Sequence, residues 1–128
     1  MARIYLVEDH DDMRLILKKM IVKRLTGIEF VGESTTAEQA LEEIPRLHPD
    51  LVLVDISLPG MDGIELIRRL KPRCKSLYML VVTGHDVERY KQAAMEAGAD
   101  GIVSKSDVEQ LLEAIRELLA KHKADGWG

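Results

Sequence analysis

The sequence predicts an α/β protein with a doubly wound, five-stranded parallel sheet and five helices. Short apolar runs alternate five times with longer segments of helical spacing, and the runs are rich in valine, isoleucine and leucine. Strands that helices bury on both faces have this composition. Right-handed crossovers join such strands, so their carboxyl ends share one edge of the sheet. Ligands of doubly wound sheets bind beyond that edge, and we therefore look for chemistry there.

The five predicted strands are the apolar runs themselves, which are too short to be helices. They are Ile4–Val7, Phe30–Val31, Leu51–Val54, Tyr78–Val82 and Ile102–Val103.

The five predicted helices follow the runs and carry apolar residues at positions i, i+3 and i+4. The predicted apolar faces, helix by helix, are Met13, Ile16, Leu17, Met20 and Ile21; Ala37, Ala40, Leu41 and Ile44; Ile64, Ile67 and Leu70; Val87, Tyr90, Ala94 and Ala97; and Val108, Leu111, Leu112, Ile115, Leu118 and Leu119. Candidate N-caps are Asp11 or Asp12, Thr36, Asp86 and Asp107. Candidate helix-ending residues are Gly27, Pro45, Pro49, Pro72 and Gly98.

Length and charge exclude several classes of protein. The 128 residues fit one domain, predicted over residues 1–122 with a tail at 123–128. A net charge of -4 disfavours direct nucleic-acid binding. The single cysteine, Cys74, excludes an internal disulfide and suits a reducing compartment. Neither a signal peptide nor an apolar run near the roughly 20 residues of a membrane span is present. These features predict a soluble, cytoplasmic protein.

Chemically active residues follow four of the predicted strands. Glu8 and Asp9 follow the first strand, Asp55 the third, Thr83 the fourth and Lys105 the fifth. Three carboxylates at one edge repel one another unless a cation is present, and carboxylate oxygens with water suit Mg²⁺. A lysine and a hydroxyl would neutralise phosphoryl oxygens, and a carboxylate can act as the nucleophile. The set predicts phosphoryl transfer to a carboxylate.

Four motifs in order resemble the receiver domain of bacterial response regulators, the CheY-like superfamily of two-component signal transduction. The resemblance covers about residues 2 to 122 and implies a flavodoxin-like strand order of 2-1-3-4-5. The motifs are Val7-Glu8-Asp9, the segment from Leu53 through Asp55 and Pro59 to Gly63, Val82-Thr83-Gly84, and Ala97-Gly98-Ala99-Asp100-Gly101 running into Ser104-Lys105.

The resemblance assigns the acidic residues to phosphorylation and metal binding. It implies that Asp55 is the phosphoacceptor and that Glu8, Asp9 and Asp55 hold Mg²⁺ (or Mn²⁺), with Asp9 as a direct ligand and Glu8 acting through water. Ser57 matches the position whose backbone carbonyl binds the metal. On this basis the domain is not an enzyme, because it assists only its own phosphorylation and slow dephosphorylation.

The resemblance also implies a conformational switch. The sequence departs from the family pattern at several positions of this switch. Thr83 resembles the switch hydroxyl, and Lys105 the lysine that pairs with a phosphoryl oxygen. Ile102 stands where many receivers carry tyrosine or phenylalanine, and Ser106 follows Lys105 where proline is common. His85 is less typical beside Thr83 and could modulate switching. Phosphorylation should survive these changes, but the resulting shape change could differ from the usual one.

The implied partners are a sensor histidine kinase or a phosphotransfer protein as the donor, and a downstream protein or an effector domain outside this chain. The signalling surface would run over helix four, strand five and helix five, and it would also allow a homodimer. No membrane contact is expected.

Two other functions stay open from the sequence alone. A pseudo-receiver would keep the fold without phosphorylation; such modules usually lose an acid or the lysine, and here both remain. An aspartate-nucleophile phosphatase usually carries a second aspartate two residues after the first, where this chain has Ser57. Neither a P-loop nor a dinucleotide-binding glycine motif is present in the sequence.

Overall fold

The computed structural model describes residues 1–126, in which strands and helices alternate strictly along the chain. The strands are β1 (Ala2–Val7), β2 (Ile28–Ser34), β3 (Leu51–Val54), β4 (Tyr78–Thr83) and β5 (Gly101–Ser104). The helices are α1 (Asp11–Arg24), α2 (Ala37–Leu47), α3 (Gly63–Leu70), α4 (Val87–Ala97) and α5 (Val108–Ala124). Within the described residues, no helix is both long and apolar enough to cross a bilayer.

The five strands form one parallel sheet in the order β2-β1-β3-β4-β5, which confirms the predicted fold class and strand order. The chain leaves β1 towards one side to form β2, and then returns to form β3 on the other side. This reversal places the topological switch point between β1 and β3, where ligands of such sheets bind. The pairing of Val7 with Val54 brings the carboxyl ends of these two strands level with each other.

A separate apolar layer covers each face of the sheet. One layer packs α2, α3 and α4 against the sheet, and the other packs α1 and α5 against it. Adjacent residues of the central strands alternate between the layers, so Val52 and Val54 face the first while Leu51 and Leu53 face the second. This two-sided burial explains why the strands read as continuous apolar runs. One predicted core position is wrong, because Ile16 of α1 is 57% exposed.

The helix N-termini follow the predicted caps in three cases. Thr36, Asp86 and Asp107 each accept a hydrogen bond from a backbone N–H in the first turn of α2, α4 and α5. The prediction for α1 is wrong. His10 holds its N-cap position, and Asp11 and Asp12 lie inside the first turn, where their charges stabilise the helix dipole.

The helix C-termini differ from the prediction at two places. Gly98 caps α4 in the left-handed region as predicted, and α3 ends two residues before Pro72. By contrast, α1 ends too early for Gly27 to cap it, and Gly27 instead turns the chain into β2 with φ 73°. Pro45 lies inside α2, which continues to Leu47 and ends at His48, a left-handed residue with φ 50°.

The last helix is longer than predicted. α5 continues to Ala124, so the first two residues of the predicted 123–128 tail are helical. Residues 127–128, which include Trp127, lie outside the described residues.

Gly63 allows the close approach of α3 to the end of β3. Its backbone N–H donates to the Ile56 carbonyl at 3.0 Å. A Cβ at this position would lie 2.1 Å from the carbonyl oxygen of Asp55 and 2.9 Å from its carbonyl carbon. Both of those atoms are backbone, so they cannot move aside as a side chain could.

We expect Gly63→Ala to destabilise the protein by about 2–3 kcal/mol, because the added methyl group would force the backbone of residues 55 and 56 to shift. Urea unfolding with linear extrapolation measures this change. Gly84→Ala is the matched control, since its Cβ would meet only Lys105 Cδ, at 4.0 Å. Equal free energies of unfolding for the two variants would contradict this account.

Candidate functional site

Asp55 lies immediately after β3 at the carboxyl edge of the sheet and is only 4% exposed. Its backbone N–H donates to the Val7 carbonyl at 3.1 Å, which ties it to the end of β1. Its Oδ1 accepts a hydrogen bond from the Ser57 backbone N–H at 3.2 Å, and its Oδ2 accepts one from Lys105 Nζ at 2.9 Å. The carboxylate is therefore held in one orientation with both oxygens engaged.

Lys105 follows β5 and forms ion pairs with Asp55 and with Glu8. Burial disfavours the charged amine, but the hydrogen bonds and charges of Glu8 and Asp55 outweigh burial and raise the pKa of Lys105 above its ordinary value. A raised lysine pKa stabilises the fold wherever the amine is protonated. This stabilisation is therefore complete at neutral pH, and it is lost only as the pH rises above the ordinary lysine range.

Glu8 and Asp9 follow β1 and form the acidic pair. Glu8 is 1% exposed, and its backbone N–H donates to the Ser34 carbonyl at 3.1 Å. Asp9 Oδ1 is buried, and no described residue donates it a hydrogen bond of good geometry, the nearby His10 ring included. His10 lies beside both carboxylates, with Nδ1 3.1 Å from Asp9 Oδ1 and 3.3 Å from Glu8 Oε2.

These residues fit a hard divalent cation. Glu8, Asp9 and His10 form a cluster whose potential ligand atoms lie within 4.8 Å of one another. Buried carboxylate oxygens, one of them without a hydrogen bond, are the ligands that Mg²⁺ and Mn²⁺ prefer. Asp55 lies outside this close cluster and is paired with Lys105. The acidic cluster is found where the sequence predicts the metal site.

Thr83 is the last residue of β4 and is fully buried. Its Oγ1 accepts a hydrogen bond from the His85 backbone N–H at 3.0 Å. Within residues 1–126 this hydroxyl donates no hydrogen bond to another side chain or carbonyl, so its proton is free for a new acceptor. His85 Nε2 in turn lies 2.7 Å from Ser57 Oγ, a contact that connects the loops after β3 and β4.

Ile102 lies on β5 and packs, partly buried, against the core layer that also contacts Tyr90 of α4. The His85 and Tyr90 rings are 5.8 Å apart. The Lys105–Ser106 peptide bond is trans, and the Ser106 backbone N–H donates to Ser104 Oγ at 3.2 Å. The loop after β5 is thus closed by a serine–serine contact.

Arg14 supports the site, and the sequence interpretation missed it. Its guanidinium donates to the Glu8 backbone carbonyl at 2.9 Å, to Glu33 at 2.6 Å and to Asp11 at 2.7 Å. The hydrogen bonds that Arg14 donates to Asp11 and Glu33 raise the pKa of Arg14, and the hydrogen bond that Lys18 donates lowers the pKa of Glu33. The only sequence indication is a polar residue one turn into helix one, which is too common to single out.

Glu38 of α2 was also missed. Its Oε2 accepts a hydrogen bond from the Met61 backbone N–H at 3.2 Å and lies close to Gly60, which has φ 75°. This contact holds the loop between β3 and α3, the loop that carries Ser57. The distance of 23 residues between Glu38 and Met61 hides the contact from sequence interpretation.

Comparisons with known proteins agree with this geometry. The family model for the response regulator receiver domain matches residues 4–116. The chain is 38% identical over 120 residues to the transcriptional activator protein ExaE of Pseudomonas putida, covering 93% of this chain and 56% of that protein. It is 34% identical over 120 residues to the nitrate/nitrite response regulator protein NarL of Escherichia coli K12, covering 93% of this chain and 55% of that protein. The chain thus spans little more than half the length of these relatives.

Solved structures give the same answer. The crystal structure of a two-component response regulator of the LuxR family from Aurantimonas sp. SI85-9A1 matches with a TM-score of 0.89 at 36% identity, covering 94% of this chain and 86% of that one. The receiver domain of AraT, a response regulator from Geobacillus stearothermophilus, matches with a TM-score of 0.86 at 27% identity, covering 98% of each chain. The chain therefore belongs to the response regulator receiver domains, the signalling domains of two-component systems.

Proposed function

We propose that this domain is a switch that accepts a phosphoryl group on Asp55. The donor would be a phosphohistidine on a sensor histidine kinase or on a phosphotransfer protein. The observation that supports this proposal best is the buried carboxylate of Asp55, held by Lys105 Nζ at 2.9 Å beside the acidic pair. A carboxylate fixed next to a cation and a metal-binding cluster is arranged for nucleophilic attack on phosphorus.

The transfer step uses groups already in place. An oxygen of Asp55 attacks phosphorus, a P–O bond forms, the P–N bond of the phosphohistidine breaks, and the donor imidazole departs with the bonding electrons. Bound Mg²⁺ (or Mn²⁺), held by Asp9, Asp55 and the Ser57 carbonyl with Glu8 through water, would neutralise charge on the phosphoryl oxygens. Lys105 exchanges its contact with the Asp55 carboxylate for one with a phosphoryl oxygen.

Thr83 would convert phosphorylation into a change at α4. Its hydroxyl can donate its free proton to a phosphoryl oxygen, but a movement in that direction alters the hydrogen bond from the His85 backbone. His85 immediately precedes Asp86, the N-cap of α4. Displacement of the Thr83 side chain would therefore act directly on the start of α4. The relative populations of the conformations of the surface formed by α4, β5 and α5 would then change.

Output would pass to a partner protein or to an effector domain outside this chain. The relatives named above include a transcriptional activator and a nitrate/nitrite response regulator, and the chain matches little more than half of each. The same α4–β5–α5 surface could form a homodimer. Slow hydrolysis of the acyl phosphate on Asp55 would reset the switch, and the domain would catalyse no other reaction.

Two alternatives have less support from the site. A pseudo-receiver would need no cation between Glu8 and Asp55, yet Lys105 pairs with both. An aspartate-nucleophile phosphatase would need an acid at residue 57, where the Ser57 hydroxyl instead contacts His85.

We expect incubation with acetyl phosphate and Mg²⁺ to add one phosphoryl group, because Asp55 is the carboxylate held by Lys105. Intact mass spectrometry after rapid quenching measures the addition. Asp55→Asn and a metal-free sample should show no adduct, while Asp12→Asn, at an exposed position on the first turn of α1, should be phosphorylated normally. The absence of an adduct with acetyl phosphate and with a phosphoramidate donor would leave the pseudo-receiver as the better interpretation.

We expect His85→Ala to shorten the lifetime of the phosphorylated state about two- to tenfold. One hydrogen bond contributes about 0.5–1.5 kcal/mol, and its loss would open the site to water. The decay of the phosphorylated mass with time measures this lifetime. Ser57→Ala removes the same contact, so the double variant should decay no faster than either single variant. Additive effects of the two substitutions would show that the contact between Ser57 and His85 does not control hydrolysis.

A further inference from the structure

The amino edge of the sheet, opposite Asp55, carries a cleft that the proposed phosphoryl chemistry does not use. The cleft has a volume of about 510 Å³ and lies where the loops before β3 and β4 meet the last turns of α5. A cavity of this size can hold a small organic molecule. Its apolar walls are formed by Ile44, Pro45, Pro49, Pro72 and Leu77.

His122 of α5 brings a buried imidazole to this cleft. The residue is only 4% exposed, and neither ring nitrogen has a hydrogen-bond partner within residues 1–126. Asp50 Oδ1 lies 3.7 Å from Nε2, which is beyond hydrogen-bond distance. The ring instead packs edge-on against Tyr78, with 5.8 Å between the ring centroids. A buried polar group without a partner in the protein needs one from outside it, and the cleft is where such a partner can reach the ring.

The loop between α3 and β4 brings positive charge to the same cleft. Residues 68–75 contain five arginines and lysines and no acid, although the chain as a whole has a net charge of -4. The first three of these cations form ion pairs with acids on α3 or just before β5. Arg73 and Lys75 form no ion pair with any described residue, and both are exposed and line the cleft. Unpaired cations beside a concave surface attract an anion.

The one acid among the described residues that line the cleft limits the kind of anion that fits. Asp50 Oδ2 accepts a hydrogen bond from the Arg3 backbone N–H at 2.9 Å, whereas Oδ1 accepts none within the described part of the chain. This oxygen would repel a bare anion, but a hydroxyl group could donate a hydrogen bond to it. The cleft therefore suits a ligand with a charged end for the cations and a hydroxyl group for Asp50.

We propose that this cleft binds a small phosphate monoester that also carries hydroxyl groups, such as a sugar phosphate. The planar guanidinium of Arg73 matches the geometry of phosphate oxygens, and Lys75 adds a second positive charge. The Ser76 hydroxyl and the His122 ring provide further hydrogen bonds, while the apolar walls pack against the body of the ligand. The length of β3 separates this cleft from Asp55, so the site is distinct from the proposed phosphoacceptor.

The test is an NMR titration of the 128-residue chain with glucose 6-phosphate in magnesium-free buffer, which disfavours phosphate binding at the Asp55 edge. We expect saturable shifts of the backbone amides of residues 73–77 and of the His122 ring nitrogens. Inorganic phosphate and glucose, titrated separately, should each bind at least about tenfold more weakly, because each supplies only one of the two kinds of hydrogen-bonding group.

Arg73→Gln should raise the dissociation constant of glucose 6-phosphate at least about tenfold, the lower end of the effect of a hydrogen bond to a charged group. Arg73 is exposed, so the substitution should leave the fold intact, and unchanged amide resonances outside the cleft would show this. Arg69→Gln is the matched control. It removes the same charge from the same basic segment, but Arg69 pairs with Glu65 and does not line the cleft.

Four results would overturn the proposal. The absence of saturable shifts at residues 73–77 and at His122 would mean that the cleft does not bind this class of ligand. Shifts confined to Lys105 and its neighbours would place the ligand at the candidate phosphorylation site. Equal weakening by Arg69→Gln would indicate general attraction to the basic segment, that is, an adventitious ion only. Inorganic phosphate that binds as tightly as glucose 6-phosphate would show that the hydroxyl groups and Asp50 contribute nothing.

Discussion

Lys105 joins the carboxyl ends of three strands, because it follows β5 and pairs with Glu8 after β1 and with Asp55 after β3. Both carboxylates are almost fully buried, and a buried charge without a partner is costly. The ammonium group therefore permits two acids to occupy the interior of the sheet edge. Since each of the three residues directly follows its strand, the contact exists only if the strands have the observed order and register. The two ion pairs of Lys105 therefore link the candidate chemistry to the strand order of the fold.

A second set of charges supports the first from the side of β2. Arg14 donates a hydrogen bond to the Glu8 backbone carbonyl, and the Glu33 carboxylate forms ion pairs with both Arg14 and Lys18. None of these contacts involves Asp55, so they would influence it only by fixing the loop that carries the acidic pair. They are also more exposed, with Glu33 36% exposed, so solvent screens them more than it screens Lys105.

The sequence predicts the central strand β3 to the residue, as Leu51–Val54, because burial on both faces removes polar residues from it. It predicts the edge strand β2 poorly, as Phe30–Val31 only, because most of Ile28–Ser34 is not fully buried. It also predicts which side chains meet, since parallel strands end at one edge. Prediction from the sequence fails for features that depend on backbone angles or on contacts between loops. Asp11 is an ideal cap by type, yet His10 has the extended angles of the cap position. The contact between Ser57 and His85 spans 28 residues and depends on two loop conformations that no local pattern encodes.

Under the proposed function, a signal could leave the site through β5 or through the loop after β4, and Ile102 of β5 is aliphatic. Ile102 is partly buried against the core layer and carries no aromatic ring, so it cannot signal through the inward swing of one. The connection through Thr83 needs no such movement, because Thr83 Oγ1 holds the backbone of His85, the residue before the N-cap of α4. His85 also lies against Tyr90, within α4 itself. In this chain, hydrogen bonding and ring contact therefore connect Thr83, at the sheet edge that carries Asp55, to α4 through His85.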